Sequence, residues 1–193
     1  MPDQASLRER LGEVLLTSQE AEAMDAHGRT EAAVLVPVFG LEGEPGIVFT
    51  ERRANLRRHA GEISFPGGRR DHLQETLLHT ALREAEEEIA LDPGAVEVIG
   101  ALPPIGTFVT NYKVHPFVGA IGDALDLRPN PAEVEAILHL HLKALREGYG
   151  MRRLVRRGVP FKTPTFEVGH HLIWGATARI LEELLTRLDG ESA

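Results

Sequence analysis

The chain has 193 residues, of which 42% are hydrophobic and 26% are charged, and its formal net charge at pH 7 is -8. That length suits one well-buried domain better than two, and the negative charge argues against nucleic acid or an anionic membrane as a partner. The sequence contains no cysteine, which excludes disulfides and thiolate metal sites, and no apolar run approaches the roughly 18 residues of a membrane-spanning helix.

The first half of the chain predicts a helix, a hairpin and a second helix. Apolar residues at helical spacing predict a helix over residues 5–17. Two short apolar runs rich in branched residues predict buried strands over 32–40 and 47–53, and Pro37 predicts that the first lies at a sheet edge or contains a bulge. A helical pattern then covers residues 74–90.

The second half predicts further strands and a closing helix. Strands are expected over residues 96–101 and 114–121, and another within 132–142 before a short helix at about 143–147. One or two strands are expected within 151–175, followed by a helix over 176–188. We expect one mixed α/β domain over residues 1–193, in a cytoplasmic protein for which a homodimer stays open.

The segment Arg-Glu-Ala-Glu-Glu-Glu at 83–88 places four carboxylates within five residues. On a helical wheel, Glu84, Glu87 and Glu88 share one patch, while Glu86 points to the other flank. The apolar stripe that would face a sheet lies away from the patch and consists of Leu78, Leu82, Ala85 and Ile89. The wheel therefore separates three glutamates from the fourth.

Two interpretations of this patch are open. A run of charge is most often a solvated helix face, although like charges one turn apart cost about 0.2–0.5 kcal/mol per pair. The alternative is a site for a hard divalent cation, because Mg²⁺ and Mn²⁺ prefer clustered oxygen ligands. The turn Pro66-Gly67-Gly68 before the helix favours the second interpretation, since glycine lets backbone or ligand approach closely.

Together with Gly68 and Glu75, this segment resembles the Nudix box, in which a glycine and a glutamate precede Arg-Glu-x-x-Glu-Glu-x-Gly-apolar. Two positions depart from the pattern: six residues rather than five separate Gly68 from Glu75, and Ala90 replaces the second glycine. We expect Ala90 to need only an ordinary backbone conformation. The resemblance implies a Nudix fold, in which a mixed sheet is sandwiched between helices, with the box at about 67–91. It also implies Mg²⁺ or Mn²⁺ bound by Glu84, Glu87 and Glu88.

The segment 49–68 is similar to the signature of the coenzyme A pyrophosphatase branch of this family. The matching positions are Thr50, Arg52, Arg57, Gly61 and Phe65 to Gly68. Arg53 departs, because a small residue is usual there. The resemblance implies hydrolysis of coenzyme A to 4′-phosphopantetheine and adenosine 3′,5′-bisphosphate.

Arginines suit phosphate, so Arg52 and Arg57 are candidate substrate contacts, with surface solubility as the alternative. Gly67 and Gly68 would let the substrate approach the backbone. Tyr112, like Phe108, could stack on adenine or line the pantetheine arm, and loop packing is the alternative role.

Among the charged residues near the box, Arg83 is expected to orient neighbouring carboxylates rather than to touch substrate. Glu75 is expected either to support the start of the helix or to act around the metal. The general base is sought outside the box, and Glu133 and Glu135 are the candidates, with exposed strand positions as the alternative.

Two rival functions remain at this stage. One is a Nudix enzyme with another diphosphate substrate, such as ADP-ribose or a nucleoside triphosphate. The other is a Nudix-fold binding or regulatory module that has lost catalysis. The complete set of Glu84, Glu87 and Glu88 argues against the second.

Overall fold

A computed structural model describes residues 6–53, 61–107, 111–123, 125–156 and 159–190. Within those ranges the helices and strands follow one another as a mixed α/β chain, with a short 3₁₀ turn at Pro93–Ala95. Their bounds are α1 Leu7–Val14, α2 Ser18–Ala23, β1 Thr30–Phe39, β2 Gly46–Arg52, β3 Ile63–Ser64, β4 Gly67–Arg69, α3 Leu77–Ile89, β5 Glu97–Ala101, β6 Ile105–Gly106, β7 Tyr112–Ala120, β8 Val134–His141, α4 Leu142–Glu147, β9 Tyr149–Arg156, β10 Val159–Val168, β11 His171–Ile173 and α5 Gly175–Leu188.

Strand β1 lies at the centre of the larger sheet. It runs parallel to β7 along residues 30–38, and its other side pairs antiparallel with β4 and then with β2. Strand β8 continues the sheet beyond β2, and β5 continues it beyond β7. Because alternate residues of β1 enter two different apolar clusters, both faces of the sheet are covered.

Helix α3 covers one face of this sheet, and helices α1, α4 and α5 pack on the other. Strands β9 to β11 form a smaller antiparallel sheet that adds Phe166 and Ile173 to the core on the second face. The expected mixed sheet between helices is therefore confirmed. No helix of the described residues is both long and apolar enough to cross a membrane.

The expected N-terminal helix over 5–17 is interrupted. Ser6 caps α1 by accepting the Glu9 N–H, and Thr17 caps a separate helix by accepting the Glu20 N–H. Between the two, Leu16 pairs with Ala101 of β5. A second capping box and a pairing with the sheet thus replace the continuous helix.

The expectation that Pro37 marks an edge or a bulge is wrong, because Pro37 lies in the central strand. The Leu35 N–H donates to Pro66 O at 2.9 Å. Because backbone groups two residues apart in a strand point the same way, the nitrogen of Pro37 faces the same side of β1 as that of Leu35. On that side the partner of β1 changes from β4, at residues 32–34, to β2, at 38–39. The missing N–H of Pro37 falls in the gap between the two partners.

The other boundaries agree with the predictions to within a few residues, with two exceptions. Helix α3 begins at Leu77 rather than near 74, because the Thr76 side chain caps it by accepting the His79 N–H at 3.1 Å. The segment expected to hold one or two strands contains β9, β10 and β11.

Candidate active site

The two glycines that precede α3 leave no room for a side chain, each because of a different neighbour. An added Cβ on Gly67 would lie 2.4 Å from Ala33 O, a backbone atom of β1. An added Cβ on Gly68 would instead lie 2.3 Å from Cδ of Glu84. Gly67 is therefore required by the pairing of β4 with β1, and Gly68 leaves room for a carboxylate.

Glu88 is buried, with 4% of its surface exposed. Its carboxylate accepts the Gly67 N–H at 3.2 Å, and Arg52 Nη1 lies 3.3 Å from its other oxygen. Burial raises the pKa of Glu88 to about 7, although the Gly67 N–H and the Arg52 charge oppose the rise.

Of the three glutamates on the predicted patch, Glu88 is the most buried, since the side chains of Glu84 and Glu87 are 17% and 57% exposed. The N–H of Gly67 in β4 contacts the Glu88 carboxylate, and the Asn130 N–H donates to the Glu88 backbone carbonyl at 2.9 Å. Leu77 and Ala81 are buried in the apolar stripe of α3, and the predicted Leu78 and Leu82 are only partly buried.

Arg83 donates hydrogen bonds to three carboxylates and lies 3.7 Å from a fourth, that of Asp71. It lies 2.8 Å from Glu75 Oε1, 3.0 Å from Glu84 Oε1 and 3.3 Å from Glu87, and it also donates to Arg69 O at 3.2 Å. Burial disfavours its charge, but the hydrogen bond to Glu75 and the charge of Glu84 raise the pKa of Arg83 above its usual range. This side chain fixes the rotamers of its neighbours.

Glu75 is the buried partner of Arg83, and 5% of its surface is exposed. Burial alone would raise its pKa, but hydrogen bonds from Arg83 and from the Asp71 N–H at 2.9 Å lower the pKa of Glu75 to about 2. Glu75 therefore links Arg83 to the turn that precedes α3, at Asp71.

Arg52 connects Glu88 with Glu133. Its Nη2 lies 3.6 Å from Glu133 Oε2, so the guanidinium stands between a buried carboxylate and a half-exposed one. Glu135, the other base candidate, pairs at 3.4 Å with Arg53 instead. The structure brings Glu133 to the candidate site and leaves Glu135 beside it.

Other predicted site residues lie elsewhere or are not described. Tyr112 packs against the apolar cluster that contains Val114, on the sheet face opposite α3, so the structure does not bring its ring to the carboxylates. Arg57 and Phe108 fall outside the described residues.

The backbone of Ala90 contradicts the expectation of an ordinary conformation. Its φ of 54° and ψ of 32° are left-handed, and its N–H donates to Glu86 O at 2.9 Å as α3 ends. The turn directs Leu91, which is 1% exposed, into the apolar cluster beneath α3. The substitution of alanine for glycine in the box could have indicated this strain, because a left-handed residue at a helix end favours glycine.

The carboxylates fit a hard divalent cation by donor type and by position on α3. Burial raises the pKa of Glu84, and the charges of Glu87 and Asp71 raise it further, although Arg83 opposes the rise. In the described residues no three histidine or acidic side chains converge as a metal site. Ligation would therefore require Glu84 and Glu87 to turn away from Arg83, as long side chains can.

A mixed sheet with a carboxylate-bearing helix packed directly behind a Gly-Gly strand defines the Nudix class of fold. Residues 29–157 match the family described as NUDIX domain. Over 160 residues the chain is 42% identical to a protein of Salmonella paratyphi B named "Uncharacterized Nudix hydrolase NudL", with 82% of each chain covered. The chain belongs to the Nudix family.

Solved structures agree on the fold. A MutT/nudix family protein from Enterococcus faecalis has a TM-score of 0.59 and 14% identity, covering 97% of this chain and 71% of that one. The MutT protein from Methanosarcina mazei Go1 has a TM-score of 0.53 and 17% identity, covering 84% and 94%. At such low identity these likenesses concern the fold alone.

Proposed function

We propose that this Nudix protein is a metal-dependent hydrolase that cleaves the pyrophosphate bond of coenzyme A, giving 4′-phosphopantetheine and adenosine 3′,5′-bisphosphate. One observation carries the proposal. Strands β2 and β4 hold Arg52 and Gly67, which belong to the coenzyme A signature, within 3.3 Å and 3.2 Å of Glu88. The segment that distinguishes the substrate thus adjoins the carboxylates that characterise the chemistry.

Nudix hydrolases generally use divalent metal ions, and we assign Mg²⁺ or Mn²⁺ to Glu84, Glu87 and Glu88. A bound cation would offset the charge of the phosphoanhydride and increase the acidity of a water molecule. Arg83 would hold Glu84 and Glu87 next to each other until these side chains turn to the metal ion. The half-exposed Glu133, beside Arg52, would accept the proton of the attacking water.

The substrate assignment is tested by identifying products after incubation with coenzyme A, ADP-ribose and dGTP in the presence of Mg²⁺ or Mn²⁺. We expect 4′-phosphopantetheine and adenosine 3′,5′-bisphosphate as the main products. Hydrolysis of only ADP-ribose or dGTP would refute the assignment of coenzyme A and indicate another diphosphate substrate. Binding of coenzyme A without hydrolysis of any of the three would favour a regulatory module.

The carboxylate assignments have a matched pair of variants. Glu133→Gln should lower turnover of coenzyme A at least tenfold with little change in KM, since a lost general base typically costs 10²–10⁴-fold. Glu135→Gln, which alters the exposed partner of Arg53, should leave turnover near that of the wild type. Equal turnover in both variants would show that Glu133 is not the general base.

A further inference from the structure

The guanidinium of Arg52 is shared between two carboxylates that both belong to the candidate site. Nη1 lies 3.3 Å from Glu88 Oε1, and Nη2 lies 3.6 Å from Glu133 Oε2. The Arg52 side chain is 24% exposed and Glu88 5%, so the pair with Glu88 is largely removed from solvent. In the described residues, Arg52 is the cation that contacts Glu88.

These contacts hold Arg52 loosely. Of its two ion pairs only the one with Glu88 is a hydrogen bond, at the long end of the normal range. Its Nε is buried and has no hydrogen-bond acceptor among the described residues. A buried donor without an acceptor costs about 1–3 kcal/mol, so an arginine placed only for stability would be expected to satisfy it.

Arg83 offers an internal comparison. Its Nε donates to Glu75 at 2.8 Å, and its other nitrogens reach Glu84, Glu87 and a backbone carbonyl. Arg83 is therefore saturated with acceptors and fixed, whereas Arg52 is not. Of these two arginines, the loosely held one is paired with Glu88, the most buried of the three candidate metal ligands.

We propose that Arg52, whose guanidinium lies between Glu88 and Glu133, holds the place of a cation and is displaced when a divalent metal ion binds Glu88. Both oxygens of Glu88 are engaged, one by Arg52 and one by the Gly67 N–H. A metal ion therefore has to compete with the guanidinium for the carboxylate. The inference rests on the proposed role of Glu88 in metal binding and not on the identity of the substrate.

This arrangement would couple metal binding to substrate binding. While Arg52 is paired with Glu88, its guanidinium group is not available to a phosphate group. Once displaced, the guanidinium no longer pairs with the Glu88 carboxylate, and a phosphate is the ligand that it suits best. The anionic substrate would then bind more tightly after the metal than before it.

The test is the affinity of the protein for Mn²⁺ without substrate, measured from the electron paramagnetic resonance signal of free Mn²⁺ above neutral pH. Arg52→Gln should bind Mn²⁺ about tenfold more tightly than the wild type, because it removes the positive charge that competes for Glu88. Arg52→Lys, which keeps the charge but cannot span both carboxylates, should show a smaller gain. Circular dichroism checks that each variant folds.

Arg152→Gln is the matched control, because it removes one positive charge from an exposed pair with Glu167 in the small sheet. Its Mn²⁺ affinity should equal that of the wild type. Unchanged or weaker binding in folded Arg52→Gln and Arg52→Lys would overturn the inference and leave the metal site itself intact. Failure of Glu88→Gln to weaken Mn²⁺ binding would refute the metal assignment in the proposed function as well.

Discussion

Gly67 and Gly68 are adjacent and identical in type, yet they are required for different reasons. The space beside Gly67 is filled by backbone atoms of β1, which cannot move without breaking the sheet. The space beside Gly68 is filled by the end of the Glu84 side chain, which can rotate. At the scale of one residue, the fold depends on the first glycine and the site depends on the second.

Alanine at each position should separate the two requirements. Gly67→Ala should lower the free energy of unfolding by at least about 2 kcal/mol, as overpacking against a fixed backbone does. Gly68→Ala should change stability by less than about 1 kcal/mol but lower turnover at least tenfold, because Glu84 is pushed from its position. Urea denaturation and steady-state hydrolysis measure the two effects. Similar stability losses in both variants would contradict this distinction.

The pair Arg83–Glu75 differs from the surface ion pairs in its burial. Replacing Arg83 with Met should cost about 3 kcal/mol, because it leaves the Glu75 carboxylate buried and poorly paired. The same replacement in a Glu75→Gln background should cost far less. A double-mutant cycle by urea denaturation should therefore give a coupling energy of about 1–3 kcal/mol.

An exposed pair supplies the control for that cycle. Arg128 and Asp126 form an ion pair in which each side chain is 74% exposed. The cycle of Arg128→Met with Asp126→Asn should give a coupling energy below about 1 kcal/mol. If the two cycles gave the same value, burial of Glu75 would not be what makes the Arg83 contact strong.

At the scale of elements, helix α3 could be predicted because its signals are local. Apolar spacing and the Nudix-like pattern are both contained in residues 68–91. Strands of two or three residues, such as β3 and β4, carry too little pattern to be recognised. The surroundings of the Glu88 carboxylate could not be predicted either, since they include Arg52, which lies 36 residues earlier in the chain.

The C-terminal end of α3 stores backbone strain at Ala90, whose left-handed conformation costs an L-residue about 1–2 kcal/mol. Ala90→Gly should therefore raise the free energy of unfolding by about 1 kcal/mol, measured by urea denaturation. Glu86→Gly, at an exposed position within the same helix, should lower it by about 0.5–1 kcal/mol. A loss of stability in Ala90→Gly would show that the strain is relieved elsewhere.

At the scale of the whole molecule, two buried groups whose pKa values are shifted in opposite directions have opposing effects on stability as the pH changes. His115 is 2% exposed, and neither ring nitrogen has a hydrogen-bond partner among the described residues. Burial, reinforced by the charge of Lys113, lowers the pKa of His115 from 6.5 to about 4. Burial raises the pKa of Glu88 from 4.5 to about 7.

The two shifts have opposite effects on stability between pH 4.5 and 6.5. There the unfolded chain binds more protons at His115 than the native protein does, so this residue makes the protein less stable as the pH falls. At Glu88 the native protein binds more protons than the unfolded chain, so this residue makes it more stable as the pH falls. Each contribution amounts to about 3 kcal/mol over its full range, and in the wild type they largely cancel.

Single variants should expose each contribution. The measurements are made in EDTA, which keeps metal ions off Glu88. His115→Leu should gain stability relative to the wild type as the pH falls from 6.5 to 4.5, because it keeps the stabilising contribution of Glu88 and lacks the destabilising contribution of His115. Glu88→Gln should lose stability relative to the wild type over the same range, because only the His115 contribution remains. Urea denaturation across that range measures both differences. Parallel pH profiles for the three proteins would mean that neither group titrates with a shifted pKa in the folded chain.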